Sequence, residues 1–396
     1  MSGRSSVLGL LAALCALVAA APAGALTAPA GDAFYTPPNP LPAGSPGDVI
    51  WSRTSPNTIA SGANATAYKI LYRSTGVDGG AIAVSGTVLV PNAAWTGAGT
   101  RPLTAYASGT QGWADSCAPS HEMDAGNFDE GFAVTNLLNK GWAVVVTDYP
   151  GLGTPGDHQY NVGISEGHAV LDSLRAAQRL SAAGLSASTK VGIEGYSQGG
   201  GAAGWAAQQK TSYAPSLNLV GVAGGGTPAN LQAVKSNIDG TAFFAFLAGT
   251  AIGFRAAYPA LNVNQYLTLY GKLAIATLDN LCQLPALALY ALHHLTEYTV
   301  NNVDPTTQPA FAAALTANNL GTQKPAAPVY QYHGAIDEVI PYAVESKLHT
   351  QWCALGARSQ LVPYVAEHVT TQLLAQTDVV TWLANRFAGQ TAPSNC

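Results

Sequence analysis

The chain has 396 residues, of which 48% are hydrophobic and only 10% charged, the reverse of the balance that keeps a chain disordered. Its formal net charge of −5 supplies no basic footprint, which argues against nucleic acid as a partner. A chain this long can bury a sizeable core and, by length alone, hold two or three domains.

Residues 1–25 read as a secretion signal. Arg4 gives the positive start, Val7 to Ala20 the apolar stretch, and "AGA" at Ala23 to Ala25 or "APA" at Ala28 to Ala30 a small-residue cleavage site. The apolar run is shorter than the ~20 residues of a bilayer span, so no transmembrane anchor is expected. Cys15 follows Leu14 rather than a small residue, so it is not a lipidation site. Removal of the signal leaves Cys117, Cys282, Cys353 and Cys396. In an exported chain these imply two disulfides, with three connectivities open.

A Pro/Gly-rich lead-in, Phe34 to Gly47, predicts irregular extended chain. "AYKILYRS" (Ala67 to Ser74) and "AIAVSGTVLVP" (Ala81 to Pro91) alternate and predict an antiparallel pair. From there apolar strands alternate with helical patterns. The strands are "RPLTAYASG", "WAVVVTDYPG", "KVGIEGYS", "LNLVGVAGGG", "APVYQYHG" and "SQLVPYVA". The helices between them include "GFAVTNLLNKG" and "SEGHAVLDSLRAAQRLSAAG", each closed by glycine. This alternation predicts an α/β chain with a mostly parallel sheet covered on both faces.

One segment breaks the alternation. The core reads as residues 26–226 and 325–396, and residues 227–324 between them read as helices, among them Ala242 to Phe254 and Leu284 to Leu295. They are either additional core helices or a cap whose apolar underside lines a pocket. The cap is the favoured reading, because the insertion falls at strand ends where a ligand site belongs.

Two stretches fit Gly-x-Ser-x-Gly: "GISEG" (Gly163 to Gly167) and "GYSQG" (Gly195 to Gly199). A nucleophile elbow needs a strand before the serine, small neighbours around it, and a helix starting at it. Ser197 has all three. Ser165 follows loop-like sequence, so it is expected to be a helix N-cap, with Glu166 and Asp172 adding favourable charge near the positive helix end.

A serine hydroxyl needs a base, and the base an acid to fix its tautomer, in the order Ser, Asp or Glu, His on such a sheet. Five histidines follow Ser197. His293 and His294 lie in the insertion and precede the candidate acid; His349 lies inside a helical pattern; His333 ends a strand and reads as a packed histidine. His368, between the last strand and last helix, is the candidate base, and Asp337, just past a strand end, the candidate acid, with Glu338 as its rival. The oxyanion donors are expected to be the backbone N–H of Gln198 and that of Thr110, or else Gln111, in the loop Ser108 to Cys117.

With these residues placed, the chain resembles the secretory lipase family. The resemblance rests on "GYSQGG", "DYPGLG" at Asp148 to Gly153, "CAPS" at Cys117 to Ser120, "HGAIDEVIP" at His333 to Pro341 and "EHV" at Glu367 to Val369, and covers about Phe34 to Ala388. It implies an α/β-hydrolase fold with a helical cap after the sixth strand and hydrolysis of acylglycerols or other carboxylic esters. It also implies a Cys117–Cys282 disulfide from loop to cap, leaving Cys353 and Cys396 to each other. One departure stands out: the family has an Asp near the oxyanion loop, whereas "SGTQG" has none and the nearest is Asp115.

The expected protein is therefore a secreted, monomeric serine hydrolase acting on lipid esters at a lipid–water interface, with no cofactor and no metal. Other substrates for the same site are short-chain or polymeric esters, acyl acceptors and peptides. Outside the enzymes, the rival is a non-catalytic binding protein on this scaffold.

Overall fold

A computed structural model describes residues 26–396; the expected signal, 1–25, lies outside the described residues. Nine strands form one sheet: β1 (Val49–Thr54), β2 (Ala65–Thr75), β3 (Ala81–Pro91), β4 (Leu103–Ala107), β5 (Ala143–Thr147), β6 (Lys190–Tyr196), β7 (Asn218–Gly225), β8 (Val329–Gly334) and β9 (Ser359–Tyr364). Their order is β1-β2-β3-β5-β4-β6-β7-β8-β9. The β1–β2, β2–β3 and β3–β5 pairs are antiparallel and the rest parallel. Strands β4, β5 and β8 are buried at every residue, which is why β4 and β5 read as mostly apolar runs, while β8 carries the buried polar side chains of Gln331 and His333.

The opening antiparallel pair is in fact a trio. The sequence reading lacked β1, "VIWSRT", an edge strand whose pairing with β2 shifts register between Val49 and Trp51. It is held by burial of Ile50 and Trp51 against Phe34, Tyr35 and Leu71, and Trp51 Nε1 donates to the Phe34 carbonyl at 2.9 Å. With β1 counted, the insertion follows the seventh strand, not the sixth.

The helices are α1 (Thr58–Gly62), α2 (Pro119–Ala125), α3 (Gly131–Asn139), α4 (Gly163–Arg179), α5 (Gln198–Tyr213), α6 (Leu231–Ile238), α7 (Phe244–Ala257), α8 (Leu269–Leu278), α9 (Gln283–Tyr290), α10 (Pro309–Ala317), α11 (Tyr342–Ala354) and α12 (His368–Phe387). The apolar faces of α4 and α5 pack on one side of the sheet through Leu171, Leu174, Ala203 and Ala207. Helices α3 and α12 pack on the other side through Leu137, Leu138, Leu383 and Phe387. Helices α6 to α10 fill the segment between β7 and β8 and share a core of their own with Trp205 and Trp352.

The helical run expected to reach Leu295 stops at Tyr290, and Leu292 has φ 67°. No single described helix is long and apolar enough to cross a membrane, although α7 with the turn after it passes by composition as a pair bent by 110°. Among the described residues two disulfides are present. Cys117–Cys282 joins the loop after β4 to the start of α9, and Cys353–Cys396 joins α11 to the C-terminal residue. Because β4 and β6 to β9 run parallel, the loops that follow them emerge at one edge of the sheet.

Candidate active site

Strand β6 delivers Ser197 directly onto the first turn of α5. Ser197 sits at φ 57°, ψ −122°, a region an L-residue enters only when its surroundings impose it. Its N–H donates to the Gly225 carbonyl at 2.9 Å and its own carbonyl accepts from Gly201 N–H at 3.0 Å. The flanking glycines are steric requirements. A Cβ on Gly195 would strike the Gly199 carbonyl, and one on Gly199 would strike that of Ala107, so α5 approaches the sheet at backbone contact.

Asp337 comes from the loop after β8, and His368 is the first residue of α12, just after β9 and inside the helix rather than before it. His368 Nε2 lies 3.0 Å from Ser197 Oγ, and its Nδ1 lies 2.6 Å from Asp337 Oδ2. Asp337 Oδ1 accepts the N–H groups of Val339 (2.9 Å) and Ile340 (2.7 Å), so the carboxylate is held on both oxygens. Burial by itself would raise the Asp337 pKa. The hydrogen bond and charge of His368, with the Ile340 N–H, outweigh it and hold the carboxyl below its ordinary value.

The other candidates separate cleanly. Glu338 is exposed and accepts His368's backbone N–H at 3.1 Å, so it braces the base from outside. His333 is fully buried, 3.3 Å from Asp337 Oδ2 and donating to the Ile340 carbonyl at 2.7 Å. Its pKa, lowered by burial alone, is raised overall by Glu345 and Asp337. His349 lies on α11 against Gln331 and Ser359, and His293 pairs with Glu297 in the insertion. The side chains of His349, Cys353 and Cys396 lie together at metal-ligand spacing, but the two sulfurs are bonded to each other.

"GISEG" needs correction. Ser165 is not the N-cap of α4; Val162 is, and Ser165 lies inside the first turn, donating to the Val162 carbonyl at 3.2 Å. Asp172 lies mid-helix, bonded to Arg175, Ser74 and Tyr213, too far along to meet the helix dipole. Glu166 does lie in the first turn, but buried, where it accepts from Asn161 N–H and Gln198 Nε2.

Among the described residues, the backbone N–H groups of Gln198, Thr110 and Gln111 donate no hydrogen bond within the chain. The loop carrying the last two packs on the elbow: Gly109 lies against the Tyr196 carbonyl, and Gly199 against that of Ser108. Thr110 Oγ1 bonds Tyr160 OH at 2.8 Å, whereas the Gln111 carbonyl accepts from Gln283 N–H across the disulfide. Asp115 is committed to Gly153 N–H at 3.0 Å. The carboxyl that holds the loop is Glu130, unremarked in the sequence, which accepts from Gly109 N–H at 2.9 Å and from Gln372.

Ser197 and Gln198 line a pocket whose other walls are mostly insertion side chains, among them Ile238, Phe246, Leu247 and Phe254. Its polar exceptions include Lys235, which is paired with Asp304. The motifs carrying the resemblance also have structural work: Ser120 of "CAPS" donates its N–H and hydroxyl to Asp148 of "DYPGLG".

The sequence model of the secretory lipase family matches residues 127–395. A secreted triacylglycerol lipase of Malassezia globosa is 33% identical over 387 residues, covering 92% of this chain and 81% of its own. One of Malassezia furfur is 29% identical over 394 residues, covering 94% and 82%. Candida antarctica lipase A in its closed state superposes with a TM-score of 0.84 at 27% identity, covering 92% of this chain and 87% of its own. The sheet and its helices are accordingly those of an α/β-hydrolase, and the chain belongs to the secretory lipase family.

Proposed function

We propose that the chain is an extracellular serine hydrolase that cleaves carboxylic esters, with triacylglycerol as substrate. The observation that carries this reading is the hydrogen-bonded series Ser197–His368–Asp337 opening onto an apolar pocket. The Malassezia relatives that share most of the chain are triacylglycerol lipases, which favours long acyl esters over peptides.

Ser197 Oγ attacks the ester carbonyl carbon while His368 Nε2 takes its proton. Asp337 fixes the imidazole tautomer and stabilises the imidazolium. The negative carbonyl oxygen receives hydrogen bonds from the N–H groups of Gln198 and Thr110, with Gln111 as the alternative second donor. Collapse breaks the bond to the alcohol, which leaves with the proton from His368. Water, deprotonated by His368, then releases the fatty acid and restores Ser197.

Residues 227–324 act as the cap and supply the acyl-binding walls. Leu269, Tyr270 and Leu273 on α8, with Leu284 and Leu289 on α9, are each more than half exposed, and we assign that apolar face to contact with the lipid–water interface. The test compares the wild-type chain and Ser197→Ala on p-nitrophenyl esters of rising chain length and on emulsified triolein. Wild-type activity that favours long chains and vanishes in the variant is the expected result. Preference for soluble acetate or butyrate esters, with no action on the emulsion, would move the assignment to a short-chain esterase.

A further inference from the structure

The glutamate of "GISEG" has a role that the serine beside it lacks. Glu166, on the first turn of α4, is 1% exposed. Its Oε1 accepts from Gln198 Nε2 at 2.8 Å and from the Asn161 N–H at 3.0 Å. The other hydrogen of the same Gln198 amide points to His158 Nε2, 3.0 Å away. His158 is fully buried, with Nδ1 directed at the Pro150 carbonyl, so Nδ1 carries the proton and Nε2 offers its lone pair. Burial lowers the His158 pKa to about 4 despite that bond, which keeps the ring neutral. Both hydrogens of the Gln198 amide are thus tied down, by two groups on a segment remote in sequence from the elbow.

Gln198 follows directly on the strained Ser197, and no side chain caps α5. The carbonyl of the peptide between the two residues is held by the Gly201 N–H, and the Gln198 side chain anchors the other end of that plane. Resting on the reading of Ser197 and Gln198 above, we propose that Glu166 and His158 are positioning residues: they clamp the Gln198 side chain and so aim its backbone N–H at the developing oxyanion. Glu166 also fixes Asn161, which together with Gln198 lines the acyl pocket. Neither group touches the reacting atoms.

Loss of the clamp loosens a donor that acts in the transition state, so kcat falls while KM stays. For Glu166→Ala the expected loss in kcat is about 10–100-fold, with KM within about 3-fold of wild type. Glu166→Gln, whose amide oxygen accepts the same two N–H groups, restores kcat to within about 3-fold. Gln198→Ala, which keeps the backbone N–H but removes the clamped side chain, lowers kcat like Glu166→Ala. The double variant is no worse than the poorer single one, because both remove one interaction. Wild-type kcat in folded Glu166→Ala, or additive losses in the double variant, would overturn the proposal. If Glu166→Ala does not fold, Gln198→Ala decides alone, and wild-type kcat there rejects the clamp. Ser197→Ala run in parallel separates the two levels. Its inactivity beside an unaffected Glu166→Ala rejects only the clamp, whereas its full activity rejects the reading of the site and the clamp with it.

Discussion

Gly112 and Cys282 face each other as an isolated antiparallel bridge, beside a disulfide that closes a separation of 165 residues between Cys117 and Cys282. The fit is tight: a Cβ on Gly112 would lie 2.5 Å from Cys282 Cα and 3.0 Å from Cys117 Sγ. The loop after β4 and the insertion are thereby fastened to each other. Cys117→Ala/Cys282→Ala is expected to lose about 2–4 kcal/mol of stability and, because the loop is freed, also kcat. Cys353→Ala/Cys396→Ala is expected to lose stability by a similar amount with kcat retained, since that bond ties down only the C-terminal tail. Urea melts and ester kinetics on both pairs check the contrast; equal kcat losses would refute it.

The two Gly-x-Ser-x-Gly serines predict opposite outcomes. Ser197→Ala should cut kcat by roughly 10³–10⁶-fold with stability intact. Ser165→Ala should keep kcat within about 3-fold and cost about 1 kcal/mol, the worth of its buried bond to the Val162 carbonyl. Steady-state kinetics and chemical denaturation on the pair measure both quantities.

The elbow's strain should be measurable as stability. Ser197→Gly relieves a positive φ and is expected to stabilise the fold by about 1 kcal/mol while abolishing activity. Gly199→Ala drives a methyl into the Ala107 carbonyl and should destabilise by about 1–3 kcal/mol. A Ser197→Gly protein less stable than Ser197→Ala in urea would contradict the strain.

Buried glutamates set the pH dependence of stability. Burial pushes Glu130 up to about 7, and Glu166 and Glu194 up to about 8. Glu194 has one oxygen bonded to Gln376 and the other without a partner, an arrangement that favours the neutral acid. Between the ordinary glutamate value near 4.5 and these raised values, the folded chain holds protons that the unfolded chain has released. Stability therefore falls as pH rises across that window. Asp337 and His158 have the opposite sign. The Asp337 contribution is lost only below the ordinary Asp value, as pH falls through its lowered folded pKa. His158, lowered to about 4, adds stability with rising pH only up to the ordinary histidine value near 6.5, where three raised glutamates outweigh one ring. The melting temperature should be higher at pH 5 than at pH 8. Glu194→Gln should flatten the slope, and a melting temperature that rises from pH 5 to pH 8 would count against this account.

Where packing and local geometry agree, the chain was legible. The central strands β4 and β5 are buried at both faces, so their apolar runs are continuous, and the glycines around Ser197 follow from backbone contact. Strand β1 was not legible because its buried residues, Ile50 and Trp51, are adjacent rather than alternate, so no two-residue period shows, and because its support comes from Phe34 and Tyr35 in the irregular lead-in. A serine just before an amphipathic helix looks like a cap; only the fold shows that the helix begins at Gly163, with Val162 as its N-cap, three residues before the expected cap. Glu194 is itself a readable signal, since a carboxylate inside an otherwise apolar strand must be buried, paired or protonated.

By itself the sequence determined the alternation of strands and helices, the elbow, the order of Ser197, Asp337 and His368, and the family to which these motifs belong. These depend on residues near one another in the chain, or on an order that the chain itself records. Tertiary structure decided which carboxyls besides Asp337 reach the candidate site. Glu130 meets Gly109, and Glu166 meets Gln198, only when separate elements pack together. Burial then fixes their proton affinity, and no local pattern in the sequence carries that information.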